Sequence, residues 1–277
     1  PGDQVARRAV STSGADWLTP QAATLETGNV LASLATDGFA RLGPILNAEG
    51  LAALRARCDA LMLGEVKHEG LFFQPDAASG IYEDAPLGLG WVGPSLDYRK
   101  LEKLELDPLF LSWMVNPLFA RLSRGGIGEG AKLYRAIIFN KGPAGGSNIP
   151  WHQDGGKLWG LSREPALQIW TALDDAPIDG GCLEAVPGTH LGGLASPLGG
   201  VVPAAVSDAG DAEARAVSLP VKAGEGLLIH NLVWHRSGRG RPGLPRRGFS
   251  VCLLHPDTRC LRKKKTPRTF RTLFEPG

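Results

Sequence analysis

Apolar residues change their rhythm once along this chain. Up to about residue 130 they recur at helical spacing; beyond it they fall in short runs suited to strands. Leu51, Leu54, Cys58, Leu61 and Met62 mark one helical face behind a cap at Asn47-Ala48-Glu49, which predicts a helix ending at Leu63. Residues 30–34 predict a shorter helix that stops at the turn pair Asp37-Gly38, and residues 39–42 a strand after it. Asp107-Pro108 opens one further helical stretch over 109–124, with Trp113 and Leu118 as core positions. Residues 64–100 are rich in Gly, Pro and aromatics (Phe72, Phe73, Tyr82, Trp91, Tyr98), which predicts a long loop folded over a pocket. The polar stretch 1–27 reads as an extended or partly ordered arm.

From residue 131 the β-rich runs are 132–139, 166–173, 182–186, 216–221, 226–230 and 248–254, punctuated by turns such as Gly142-Pro143 and Pro187-Gly188. Many short strands at near-regular spacing predict a mainly β fold with flanking helices: a sandwich, jelly roll or barrel. No stretch reads as a linker, so one domain over 1–277 is expected. Its parts are the arm (1–27), a mostly helical layer with the pocket-covering loop (28–130), a β core (131–256) and a basic C-terminal tail (257–277).

Composition narrows the classes. An apolar share of 43% suffices for a core, and a net charge of +2 argues against a nucleic-acid partner. The run Arg259-Cys260-Leu261-Arg262-Lys263-Lys264-Lys265 reads as a solvated tail. Cys58, Cys182, Cys252 and Cys260 lack CxxC spacing, which suggests reduced thiols and a cytoplasmic setting. No run has the length of a signal peptide's apolar region or a membrane span, so no membrane partner is expected.

The candidate chemistry centres on Trp151-His152-Gln153-Asp154. His152 and Asp154, two apart in an extended chain, point to the same side. One more His would complete the 2-His-1-carboxylate face used by non-haem Fe(II) oxygenases, which leaves open positions for a co-substrate and O2. Of the six histidines, His68 and His255 read as ordinary surface or core residues, and His190 as a support for the Pro187-Gly188-Thr189 turn. His230 and His235 compete for the third position, because a spacing of five puts them on opposite faces of a strand. A hairpin centred near Gly240-Arg241 would set His235 opposite Arg246 and His230 opposite Val251. Arg246 offers a planar fork for a co-substrate carboxylate, so that pairing favours His235. Arg247 is the rival neighbour, since alternation lets only one of the two face inward.

Together these residues resemble the phytanoyl-CoA dioxygenase family of Fe(II)/2-oxoglutarate-dependent oxygenases. The resemblance runs from Asp37-Gly38-Phe39 through Trp151-His152-Gln153-Asp154, Trp170-Thr171-Ala172-Leu173 and Gly181-Cys182-Leu183 to Pro187-Gly188-Thr189-His190. It ends with Gly224-Glu225-Gly226, His235-Arg236-Ser237-Gly238 and Arg246. It implies a double-stranded β-helix (jelly roll, cupin-like) and iron on His152, Asp154 and His235. It further implies Arg246 on the distal carboxylate of 2-oxoglutarate, with Gln153 and Trp170 touching the same co-substrate. O2 is the second co-substrate. Because Asp154 keeps the carboxylate that halogenating relatives lack, hydroxylation of a small-molecule substrate is the implied outcome. Tyr82, Trp91 and Trp159 are candidates for a pocket wall, and Arg135 and Lys141 for an acidic substrate group. A CoA thioester, an amino acid and a secondary metabolite all remain open. A cupin-like binding module without redox chemistry is the alternative from another class, and a zinc hydrolase ranks last for want of a placed Glu base such as HExxH.

Overall fold

In the computed structural model the chain is described over residues 14–86, 88, 90–263 and 268–275. Numbered in chain order, the strands are β1 (Phe39–Pro44), β2 (Phe72–Pro75), β3 (Tyr98–Glu102), β4 (Lys132–Lys141), β5 (Ile149–Gln153) and β6 (Leu167–Ala172). They continue with β7 (Leu183–Val186), β8 (Gly200–Val201), β9 (Val217–Leu219), β10 (Glu225–Ile229), β11 (Trp234–Ser237) and β12 (Arg246–Leu254). The helices are α1 (Pro20–Ala23), α2 (Thr27–Asp37), α3 (Ala48–Leu63), α4 (Pro108–Met114), α5 (Pro117–Gly126), α6 (Ala204–Ala209) and α7 (Ala212–Arg215).

Local chemistry explains the helix ends. The Asn47 side chain accepts from Gly50 N at the start of α3, and Gly64 closes it in the left-handed conformation (φ 76°) that glycine adopts without strain. The single helix expected over 109–124 is two, because Asn116 precedes a proline and leaves the helical region. Asn116 instead caps α5 by accepting from Phe119 N.

Two antiparallel sheets face each other as a double-stranded β-helix. The larger runs β1-β10-β6-β12-β4-β3-β2 and the smaller β8-β5-β11-β7-β9. Alternation divides the larger sheet's side chains between two cores. Ile169, Phe249, Val251 and Leu253 face the helices, packing with Leu54, Phe110, Trp113 and Phe119. Trp170, Ala172, Leu227 and Ile229 face the smaller sheet and pack with Ala185 and Leu219. A cavity opens between the sheets beyond this second core.

Three expectations change. The stretch 64–100 is not all loop: it supplies β2 and β3, which extend the larger sheet beyond β4. The arm, where described, is anchored, for Trp17 is fully buried in the helical core and Leu18 bridges to Leu46; residues 1–13 lie outside the described ones. The basic tail is also docked. Leu261 N donates to Gly160 O (2.7 Å), Arg262 bonds Leu158 O, and Leu273 N donates to Ala131 O. Lys264 and Lys265 fall outside the described residues.

Candidate active site

The site begins with one cross-strand pair. β5 and β11 are antiparallel neighbours with His152 in register with His235, which brings the two ring centroids to 4.0 Å. Asp154 follows β5 and is pinned there: its N–H donates to Asn231 O (2.8 Å), and Asn231 Nδ2 donates to its carbonyl (3.2 Å). Potential ligand atoms of His152, Asp154 and His235 all lie within 4.8 Å of one another. Each imidazole is oriented by its own strand, with His152 Nδ1 2.9 Å from Pro150 O and His235 Nδ1 2.9 Å from Val233 O. A carbonyl only accepts, so both Nδ1 atoms carry the proton and both Nε2 lone pairs are free to coordinate. Burial, with His235 alongside, pushes His152 down to about 3 and keeps it neutral at physiological pH.

The inner face of the larger sheet supports this group. Gln168 Nε2 (2.8 Å) and Arg135 Nη2 (3.1 Å) both donate to Asp154 Oδ2, and Ser250 Oγ donates to Gln168 Oε1 (3.1 Å), which fixes that amide's orientation. Burial alone would raise the Asp154 carboxyl, but Arg135, the two imidazoles and the Gln168 hydrogen bond outweigh it and hold Asp154 well below the usual carboxylate range.

Arg246 opens β12 and lines the same cavity, whose wall includes His152, Asp154, His235 and Trp170. Arg246 is 3% exposed, and its Nε and Nη2 are buried without a hydrogen-bond partner. Burial pushes it down to about 10. Its Cζ lies 5.3 Å from the centre of the Trp170 ring. That ring fits only because residue 248 is glycine: a Cβ there would stand 1.9 Å from Trp170 Cζ2. Arg247 points the other way and is consumed by ion pairs to Asp174 (2.7 Å) and Asp59. Buried orphan donors opposite a histidine-carboxylate cluster suit a chelating dianion between them, and two imidazoles with one carboxylate suit Fe(II).

Several expectations fare differently. Arg246 and His235 are not hairpin partners, because β11 pairs with β5 and β7 while β12 pairs with β4 and β6. They meet across the sandwich, not along a ladder. Gln153 is turned from the cavity's chemistry: its amide donates to Gly193 O (2.8 Å) and Leu232 O (2.7 Å) and accepts from Ala195 N (2.7 Å). The alternation that puts His152 and Asp154 on one face puts Gln153 on the other. Lys141 donates to Ser147 O (2.7 Å) and Arg135 is held by Asp154, so neither is free for a substrate. Trp91 packs on Gly64 and bonds Met62 O, away from the site, whereas Tyr82 and Trp159 line a second cavity beside it. The His230 and His190 rings lie tilted against each other at 4.6 Å, and His190 Nε2 reaches Ala35 O (3.1 Å), a structural pair. His68 pairs with Asp107 and His255 with Asp257. Sequence reasoning missed Gln168, Ser250 and Asn231; for Gln168 a signal existed, a polar residue two before Trp170 on the same strand face.

The residues match the phytanoyl-CoA dioxygenase (PhyH) family over 34–248, and the chain belongs to it. That is a family of Fe(II)/2-oxoglutarate-dependent oxygenases. Among curated proteins, phytanoyl-CoA dioxygenase domain-containing protein 1 of Mus musculus is 31% identical over 156 residues, 53% of either chain. The chain thus spans about half the length of that relative. Phytanoyl-CoA dioxygenase 1 of Oryza sativa subsp. japonica is 26% identical over 248 residues, 78% of this chain and 84% of its own. Among solved structures, the epimerase SnoN with Fe3+, alpha ketoglutarate and nogalamycin RO superposes with a TM-score of 0.67 at 19% identity, covering 90% of this chain and 94% of that one. EctD from S. alaskensis with 2-oxoglutarate and 5-hydroxyectoine gives 0.67 at 18% identity, covering 91% and 86%. Among the described residues no helix is long and apolar enough to cross a membrane.

Proposed function

We propose that this chain is an Fe(II)/2-oxoglutarate-dependent dioxygenase that hydroxylates an unactivated C–H of a small metabolite. His152, Asp154 and His235 are the iron ligands in this reading, and Arg246 holds the distal carboxylate of 2-oxoglutarate over the Trp170 ring. Bound there, iron with 2-oxoglutarate and O2 supplies the oxidising power, with release of succinate and CO2. The protein's part is placement. Pro150 O and Val233 O hold the imidazoles, and Gln168 and Arg135 orient the Asp154 carboxylate. The four unpaired cysteines fit a reducing, cytoplasmic setting.

One observation supports this reading above the others: Arg246 keeps two buried donors without partners in the cavity that the three ligand side chains share. A cupin-like binding module would have no use for that unpaired charge, whose burial is costly. The test is anaerobic loading with Fe(II), then addition of 2-oxoglutarate and O2 with succinate as the readout. Uncoupled succinate formation is expected without any substrate. Its absence, together with failure to bind 2-oxoglutarate, would return the chain to the binding-module reading.

A further inference from the structure

Three segments remote in sequence are stitched edge to edge into one surface. The loop after Asp154 meets the chain before β8, where Lys157 N donates to Pro197 O (3.1 Å) and Leu158 N to Leu198 O (3.0 Å). Its other side meets the C-terminal segment: Leu261 N donates to Gly160 O (2.7 Å), Ser162 N to Arg259 O (2.9 Å) and Arg259 N to Ser162 Oγ (2.9 Å). Glycine lets the first seam close, since a Cβ on Gly199 would stand 1.9 Å from Gly155 O, and one on Gly156 2.5 Å from Leu198 O.

What this surface presents to solvent is aliphatic. Leu158, Leu198, Val201 and Leu261 are each between 48% and 61% exposed. A Cβ on Gly200 would lie 3.1 Å from Leu158 Cδ1, and the Arg262 side chain lies across Gly160 to bond Leu158 O, so the seams hold these side chains in one patch. Cations surround it. Lys157, Arg163, Arg259, Arg262 and Lys263 are exposed, and among the described residues none makes an ion pair, unlike Arg236 and Arg241, which hold Glu213 and Asp179. The one acid on residues 155–164, 195–201 and 258–263 is Glu164, which is turned in to accept from Gly156 N (2.8 Å). In a chain whose net charge is only +2, the positive field is concentrated on this face.

We propose that this face docks on an anionic lipid bilayer, with the four aliphatic side chains at the acyl-chain boundary and the five cations against the headgroups. Aliphatic tips ringed by Lys and Arg match that boundary. Protein partners are gripped mainly through aromatic, Met and Arg anchors, and leucine and valine are scarce among the residues that carry such contacts. The sequence expectation of no membrane partner rested on the want of a span, and a surface contact needs none. Leu158, Trp159 and Val201 also wall the cavity beside His152 and Asp154, so a substrate dissolved in the bilayer would meet the site at the docked face. That last step rests on the oxygenase reading; the docking itself does not.

Cosedimentation of the full metal-free chain with vesicles tests it, using phosphatidylcholine alone and phosphatidylcholine with about 30% phosphatidylglycerol. The anionic vesicles should bind about 10-fold or more tightly, and raising salt from about 0.1 M to about 0.5 M should weaken that binding. Arg259→Gln with Lys263→Gln should weaken it roughly 25-fold, at about fivefold per cation, whereas Lys222→Gln, outside the three segments, should leave it within about twofold. Leu198→Ser with Leu261→Ser should cost about 10-fold or more, and because both side chains are exposed the fold tolerates the change. No vesicle binding, equal binding to the two compositions, or binding indifferent to the leucines would overturn the proposal. Binding to polyglutamate through the same cations, with vesicles ignored, would also overturn it and assign the face to an acidic protein. Because the readout needs neither metal nor 2-oxoglutarate, its failure leaves the oxygenase reading standing, and failure to form succinate leaves the docking standing.

Discussion

Replacing Arg246 with methionine should make the protein more stable and leave it unable to use 2-oxoglutarate. Arg246 is 3% exposed with two unpaired donors, and burial pushes its guanidinium from its ordinary 12.5 down to about 10. Because its folded-state value lies below its unfolded one, the native state holds that proton more weakly, and the penalty is present in full at neutral pH. At about 1.4 kcal/mol per pH unit the fall corresponds to about 3 kcal/mol against folding. That sits within the range of about 1–4 kcal/mol recovered when buried charges are replaced by apolar residues of similar volume. Methionine fills the space beside Trp170, so calorimetry of the apoprotein should show Tm rising by roughly 5 °C or more. A bidentate carboxylate contact contributes about 1.5–3 kcal/mol per hydrogen bond, so 2-oxoglutarate affinity should fall roughly 10²- to 10⁴-fold. Adding 2-oxoglutarate to the metal-loaded protein should raise the wild-type Tm further and leave the variant's unchanged. A variant less stable than wild type, or one that still binds 2-oxoglutarate, refutes the reasoning.

Other perturbations separate structure from chemistry. Gln153→Ala removes three hydrogen bonds and should cost about 1–3 kcal/mol in denaturant unfolding, yet leave 2-oxoglutarate binding within about twofold of wild type. Gly248→Ala drives a methyl into Trp170 and should cost about 1–3 kcal/mol while weakening 2-oxoglutarate, because the surface beneath Arg246 moves. Asp154→Ala should abolish succinate formation and leave Arg135 buried without its partner, at a cost on the order of 3 kcal/mol in unfolding free energy.

The sequence carried the β architecture because alternation and turn chemistry are local, and β4, β6, β10 and β12 fall close to the runs that predict them. It did not carry β2 and β3. Their residues sit among glycines and prolines, and they become strands only by pairing with each other and with the edge of β4. The His152 and Asp154 pairing was legible through period 2, and the same rule should have removed Gln153 from the co-substrate list. The preference for His235 came from a hairpin that does not form. What places His235 is its register with His152 across two strands about eighty residues apart in sequence, which no local pattern encodes. Ser250 was hidden for the same reason, and Arg135, read as a substrate contact, and Gln168 could not be tied to Asp154 by any local pattern, because each reaches Asp154 or its partner from the opposite sheet. Across β2 and β3, Gln74 faces Lys100 and Pro75 faces Tyr98, and the bulge this leaves at Arg99 has no signature in the residues themselves.

The most direct measurement is an anaerobic titration of Fe(II) and 2-oxoglutarate into wild-type, His230→Ala and His235→Ala protein, followed by visible absorption. A metal-to-ligand charge-transfer band is expected in wild type and in His230→Ala, and none in His235→Ala. A band that survives loss of His235, or that vanishes only with His230, contradicts the account.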